Sequence, residues 1–408
     1  MICMAMSVYA GACNIASFPW AVTLYCSECG EATVPPPVSS IDTSQPVNLD
    51  GGTTLGNMLA VLAKRLAAVG RTVSRTVSSY ELRIPVPHGH IAAKVWGYPE
   101  SVSVPNRRVM AAHGWQDNAN SFDPLVTHPE MGLHRLFTPN SEDKGLCIVA
   151  LDFTGHGFSS RLPPGSIYTH HRYVLDIAVV ANFLRWNKFT LIAHSMGAGM
   201  AFYFALMFPD RVAKVALFDG MFPFWYPASH YEWAIGNAYS SQAKYIGDVI
   251  GRTVRPPKEY TMDDYLAAAS LATVRKYAKK YFPLTPEGSA STENMKILLE
   301  RGSQPTSQGR FVLVRDPSVR FFFTELSGPL RLGEFLHRFD NTGMKMIAFM
   351  AEKGATFVCK DTYDILEEEA SDHLASYKTV FIKGGSHHMH MNEPEKILPR
   401  LTEFLVAP

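Results

Sequence analysis

The sequence predicts an α/β domain: a mostly parallel central sheet flanked by helices, with a helical cap inserted late in the sheet order. Three observations predict it. Short apolar runs rich in valine, isoleucine and alanine alternate with segments of helical periodicity. A long aromatic stretch of helical character interrupts that alternation between residues 218 and 344. A serine among small residues, in Ala193-His194-Ser195-Met196-Gly197, sits where an apolar run gives way to a helix-period segment.

In chain order, residues 81–86 and 91–97 read as two strands around the turn Pro87-His88-Gly89-His90. The runs 107–112, 147–151, 189–193 and 212–218 have the near-continuous apolar character of strands buried on both faces. Residues 168–186 and 196–208 carry helical periodicity between them. Strands are expected again over 344–350 and 379–383, and a closing helix over 394–404 with Pro394 in its first turn. The resulting division is an N-terminal extension 1–79, a first core part 80–220, a helical cap 221–343 and a second core part 344–408.

The extension has its own composition. Residues 1–27 carry no charged side chain, lack the basic start of a secretory signal, and are broken by Gly11, Asn14, Ser17 and Pro19. A spanning helix needs ~20 predominantly apolar residues, and this run barely qualifies; no stable membrane span is expected in the core. Residues 31–52 form a Pro/Ser/Thr/Gly linker. Residues 58–80 hold Lys64, Arg65, Arg71 and Arg75, no acid, and leucine and valine at helical spacing. Two readings stay open for this stretch: a mitochondrial transit segment if translation starts at Met58, or a surface helix with a solvated basic face.

The 408 residues are 47% apolar and 18% charged with a net charge of +1, a globular balance that gives nucleic acid no electrostatic footprint. Four of the six cysteines fall before residue 30 and the two in the main body make no disulfide framework, which favours a reducing compartment or free thiols; the expected compartment is intracellular, cytoplasmic or mitochondrial. Cys26-x-x-Cys29 is half a zinc site without a second pair at usable spacing, so neither a metal nor an organic cofactor is expected.

The chemistry centres on Ser195. Its pentapeptide is one residue from G-x-S-x-G, the strained strand-to-helix turn that exposes a serine nucleophile. Ala193 replaces the first glycine and adds one methyl group, small enough for the turn to survive. A base is offered by Ser386-His387-His388-Met389-His390, after the last strand. His387 is favoured, with His388 and His390 as competitors; an imidazole titrating near neutrality can take the serine proton and return it to a leaving group. The third member is open among Asp219, at the end of a strand, and Glu352 and Asp361, with Asp219 favoured. Asp152 and His156 are read as structural members of a loop.

The stretches VPHGHIAAKVWG, HGWQDNANSFDPL, DFTGHGFSS, LRWNKFTLIAHSMG, LFDG and SHHMHMNEPE together resemble the serine hydrolase-like (kraken-like) proteins of animals, from about Tyr80 onward. The resemblance implies the α/β-hydrolase fold with a helical cap, Ser195 as nucleophile and His387 as its histidine. It also implies an oxyanion hole from the amides of Trp115, after His113-Gly114, and Met196. It adds the peroxisome to the compartments. This chain departs where that family carries an acid in Gly-Tyr-Phe-Asp, and reads Gly354-Ala355-Thr356-Phe357 instead. The expected function is a serine hydrolase, a carboxylic-ester hydrolase acting on a small-molecule ester. A non-catalytic ligand-binding protein with an incomplete triad is the alternative. Dehalogenase and epoxide-hydrolase chemistry is disfavoured, because those enzymes use an aspartate where this chain has Ser195.

Overall fold

Strands buried on both faces read as near-continuous apolar runs, and every residue of 147–151, 189–194 and 212–218 is buried, with Thr190, His194 and Lys214 the polar exceptions. The computed structural model describes residues 77–137, 145–220, 228–251, 256–271, 290–320, 334–354 and 360–408. The readings made for residues 1–76, including Cys26, Cys29 and most of the basic stretch, lie outside the described residues.

The first hairpin joins β1 (Tyr80–Val86) to β2 (Gly89–Trp96) through two residues, with Val86 paired to Gly89. Next come β3 (Arg108–Ala112), a short helix α1 (Asp123–Thr127), β4 (Cys147–Leu151) and helix α2 (His170–Phe183). Helix α2 starts two residues later than the periodicity suggests. The reason is local: Thr169 caps it, its hydroxyl accepting the Arg172 amide at 3.3 Å. Strand β5 (Phe189–His194), helix α3 (Met196–Met207) and strand β6 (Val212–Phe218) follow. After the insertion come β9 (Lys345–Lys353), β10 (Ser376–Ser386) and the closing helix (Pro394–Val406).

One eight-stranded sheet has the order β1-β2-β4-β3-β5-β6-β9-β10. Strand β2 pairs antiparallel with β1 and β4, and every other pair is parallel. Successive residues alternate between two cores, as a pleated strand requires. Met110, Ala112, Leu191 and Ala193 face one layer with Tyr173, Ile177 and Phe204 of α2 and α3. Val109, Ala111 and Ile192 face the other with Leu125, Ile397 and Leu401. This is the α/β-hydrolase architecture, and the C-terminal ends of its parallel strands are where such sheets place their sites.

Between β6 and β9 the described residues hold α4 (Ala228–Ile250), α5 (Met262–Leu271), α6 (Thr292–Gly302) and a small hairpin of β7 (Ser303–Pro305) with β8 (Phe311–Leu313). Helix α6 is bound to the core by side chains rather than by a greasy face. Arg301, 2% exposed, donates to both carboxylate oxygens of Glu81 at 2.6 and 2.8 Å and to Asp152 Oδ2 at 2.8 Å. Asp152 is itself fully buried. Asn118 and Asn120, in the loop after β3, donate to the Leu298 and Ile297 carbonyls at 2.8 and 3.0 Å.

Removing one member of a buried ion pair strands the other charge, a loss of about 3–5 kcal/mol. Arg301→Met is therefore expected to destabilise the protein by about that amount in urea unfolding. A change under about 1 kcal/mol would mean that the amides of Ala119 and Phe158, which also donate to Asp152, satisfy the carboxylate without the guanidinium.

Candidate active site

Strand β5 delivers Ser195 to the C-terminal edge of the sheet in a backbone conformation that non-glycine residues seldom take, φ 50° and ψ −115°. Such strain survives only where the surroundings over-determine it. Here the Ser195 amide donates to the Phe218 carbonyl at 3.0 Å, and its own carbonyl accepts from Ala198 and Gly199 at 3.0 and 3.3 Å in the first turn of α3. Gly197 has no freedom to become larger: a Cβ there would lie 2.3 Å from the Ala112 carbonyl oxygen and 2.6 Å from that of His113. Ala193, in contrast, is an ordinary strand residue paired with Ala112 and Leu217, and its φ is not among the positive ones. The first position of the motif asks for small size, not for glycine's backbone freedom.

His387 follows the last residue of β10 and turns back over the elbow. Its Nε2 lies 2.9 Å from Ser195 Oγ, and its Nδ1 lies 2.5 Å from Asp219 Oδ2. A carboxylate can only accept, so Nδ1 carries the proton and Nε2 accepts the serine hydroxyl. His387 is 8% exposed and Asp219 4%. The second carboxylate oxygen of Asp219 accepts the Ala351 amide at 3.1 Å, and the Asp219 amide donates to the Phe349 carbonyl at 2.8 Å. Residue 219 is thus held to the end of β9 by its backbone amide and by its carboxylate.

Gly354 makes room for Asp219 at the end of β6. A Cβ at Gly354 would sit 2.2 and 2.3 Å from the two carboxylate oxygens of Asp219. The glycine ending Glu352-Lys353-Gly354 therefore leaves the volume that the Asp219 carboxylate fills. Glu352 is turned elsewhere: it is exposed and accepts the Gly384 amide at 2.6 Å. The side chain of Asp361, in helix α7 (Lys360–His373), lies outside the described residues.

The loop after β3 approaches the serine from the neighbouring strand. His113 is buried and neutral, its pKa lowered chiefly by burial. Its Nδ1 donates to the Gly114 carbonyl at 2.7 Å and its Nε2 accepts the Phe153 amide at 3.0 Å, locking this loop to the one after β4. Trp115 is anchored by its indole, which donates to the Val319 carbonyl at 2.8 Å. Met196 is the first residue of α3, so its amide has no carbonyl within the helix to bond. Asp152 and His156 brace these loops: Asp152 as above, His156 by accepting the Gln116 amide at 3.3 Å.

Two contributors escaped the sequence reading. His194 Nε2 donates to the His387 carbonyl at 2.9 Å and so holds the backbone of His387. Asn392 accepts the Ser291 amide at 2.8 Å and donates to Ser386 Oγ at 2.7 Å, tying helix α6 to the histidine loop. His194 adjoins Ser195, but its partner is 193 residues away. No local pattern signals such a pairing.

A family model described as the alpha/beta hydrolase fold matches residues 108–311. A serine hydrolase-like protein of Danio rerio is 30% identical over 345 residues, covering 82% of this chain and 90% of its own length. One from Mus musculus is 41% identical over 152 residues, 37% of this chain and 43% of its own. Among solved structures, a hypothetical protein from Pseudomonas aeruginosa PAO1 superposes with a TM-score of 0.56 at 27% identity, over 79% of this chain and 97% of its own. A thioesterase domain from the curacin biosynthetic pathway reaches 0.55 at 18% identity, over 81% and 100%, and shows likeness of fold alone.

Proposed function

The chain belongs to the serine hydrolase-like family of α/β hydrolases, and from that membership we propose a serine esterase that works on a small or medium acyl ester through an acyl-enzyme. The observation that carries the proposal is the row Ser195 Oγ, His387 Nε2, His387 Nδ1, Asp219 Oδ2, with contacts of 2.9 and 2.5 Å.

In this reading Ser195 Oγ attacks the ester carbonyl carbon as His387 Nε2 takes its proton. The negative charge moves to the carbonyl oxygen, where the Trp115 and Met196 amides receive it. Asp219 steadies the imidazolium without taking its proton. Collapse of the tetrahedral intermediate expels the alkoxide, which leaves as the alcohol with the proton from His387. Water, deprotonated by His387, then attacks the acyl-serine, and the carboxylic acid departs as Ser195 regains its proton. No step calls on a cofactor. The segment between β6 and β9 serves as the cap, since α6 is tied to both the Trp115 loop and the His387 loop. No helix among the described residues is long and apolar enough to cross a membrane.

A fluorophosphonate probe tests the reading directly. Covalent labelling at Ser195 together with p-nitrophenyl ester turnover supports it; a folded protein that never labels is the binding-protein alternative. The two adjacent histidines separate further. His387→Ala is expected to cost on the order of 10⁴–10⁶ in kcat, and His388→Ala less than about ten-fold, because His387 occupies the place between Ser195 and Asp219. A steady-state comparison in which His388→Ala is the slower enzyme overturns the assignment.

A further inference from the structure

Helix α6 lies outside the hydrolytic steps, yet side chains of the core grip it along its whole length, 11 residues or about 16 Å of helix. At its start, Asn392 Oδ1 accepts the amide of Ser291, the capping residue, at 2.8 Å and Asn294 Nδ2 at 3.0 Å. Midway, Asn118 and Asn120, from the loop that carries Trp115, donate to the Leu298 and Ile297 carbonyls. At its end, Arg301 closes on Glu81 and Asp152. The first grip stands apart, because the residue that makes it also reaches toward His387.

Asn392 Nδ2 donates to Ser386 Oγ at 2.7 Å. Ser386 Oγ in turn donates to Glu393 Oε2 at 3.0 Å, which also accepts the Ser386 amide at 3.2 Å. One orientation of the Asn392 amide serves all of these partners. The Ser291 backbone amide can only donate, so Oδ1 faces α6 and Nδ2 is left for the serine. Ser386 is 3% exposed, so little solvent can replace the bond if Asn392 is removed. His387 is the next residue. On its other side, its carbonyl accepts from His194 Nε2 at 2.9 Å, and the Asn392 amide donates to the His388 carbonyl at 2.8 Å. The backbone is therefore held on both sides of His387, and the ring it carries stands 2.9 Å from Ser195 Oγ.

We propose that Asn392 is a positioning residue for His387: it fastens Ser386, and through that peptide the imidazole, to the start of helix α6. The inserted segment thereby sets how closely His387 Nε2 approaches Ser195 Oγ. Proton transfer needs a heavy-atom separation of ~2.6–3.2 Å, and a misplacement of about 1 Å costs on the order of 10² in rate. Asn392 therefore matters to turnover without taking part in it. For turnover the proposal rests on the esterase reading; for placing the ring it rests on these hydrogen bonds alone.

The test uses the full chain carrying Asn392→Ala, Ser386→Ala or both, with Arg400→Ala, which alters an exposed partner of Glu403, as the control. Rates are measured well below each unfolding midpoint, where a loss of stability alone leaves kcat unchanged. Each single variant is expected to lose about 10–100-fold in kcat for a p-nitrophenyl ester, with KM within about two-fold of wild type. Arg400→Ala should match wild type. The double variant should be no slower than the slower single one, because the two side chains are links of one chain. A second readout needs no turnover. In protein made with isotopically labelled histidine, the ring nitrogen resonances of His387, assigned by their loss in His387→Ala, should shift in Asn392→Ala and stay in Arg400→Ala. Should Asn392→Ala fail to fold, Ser386→Ala, which removes only a hydroxyl, decides by the same readouts. A wild-type rate with unshifted His387 resonances overturns the proposal. Losses that multiply in the double variant overturn the route through Ser386. Shifted resonances in a protein that turns over no ester support the positioning and count against the esterase reading, so the two failures are told apart.

Discussion

Ser195→Ala is expected to lower kcat for a p-nitrophenyl ester by on the order of 10⁶, about 8 kcal/mol of transition-state stabilisation, since removing a triad serine alone costs nearly as much as removing the triad. The fold should persist. Ser195 is held through its backbone, by bonds to Phe218, Ala198 and Gly199 that alanine also makes. Alanine carries the same φ of 50° at comparable cost, so an unchanged urea midpoint is part of the prediction. Loss of fluorophosphonate labelling in the variant completes it. Turnover within ten-fold of wild type would place the nucleophile on another residue.

The second large effect concerns the acid. Asp219→Asn keeps the shape of the side chain but offers His387 Nδ1 an amide, which can hold the wrong tautomer. The same change in a serine-protease triad costs about 10⁴ in kcat. Glu352→Gln should cost less than about ten-fold, because Glu352 is exposed and occupied with the Gly384 amide. Asp361→Asn is expected to be as mild. The rate constants of the three variants, measured at one pH near neutrality, give the ranking. A slower Glu352→Gln than Asp219→Asn would mean that the 2.5 Å contact at Asp219 is not the one used in turnover.

What was legible in the sequence follows from what is local. Strands β4 and β6 end at the residues where their apolar runs end, because every one of their side chains is buried. Strand β10 is longer than its apolar run, Ser376–Ser386 against 379–383, since its edge position exposes alternate residues such as Phe381. The serine could be read because its turn is a five-residue pattern. The carboxylate beside His387 could be narrowed but not chosen. Its place depends on the space Gly354 leaves for a side chain 135 positions away in the chain, and a glycine in a loop announces nothing about what will fill its missing side chain. Arg301 was invisible for the same reason, its partners lying 149 and 220 residues upstream.

That arginine also limits how freely the protein can be rearranged. A segment grafted from a relative between β6 and β9 would arrive at a sheet whose Asp152 has no access to water. Unless the donor brings a guanidinium to the same spot, the recipient is left with a buried anion that has lost its counter-charge and keeps the Ala119 and Phe158 amides. The reverse transplant fails symmetrically, since an arginine 2% exposed has nowhere to discharge its proton and no solvent to turn to. Swapping this segment therefore has to move Arg301, Glu81 and Asp152 as one unit, although they come from three separate stretches of the chain.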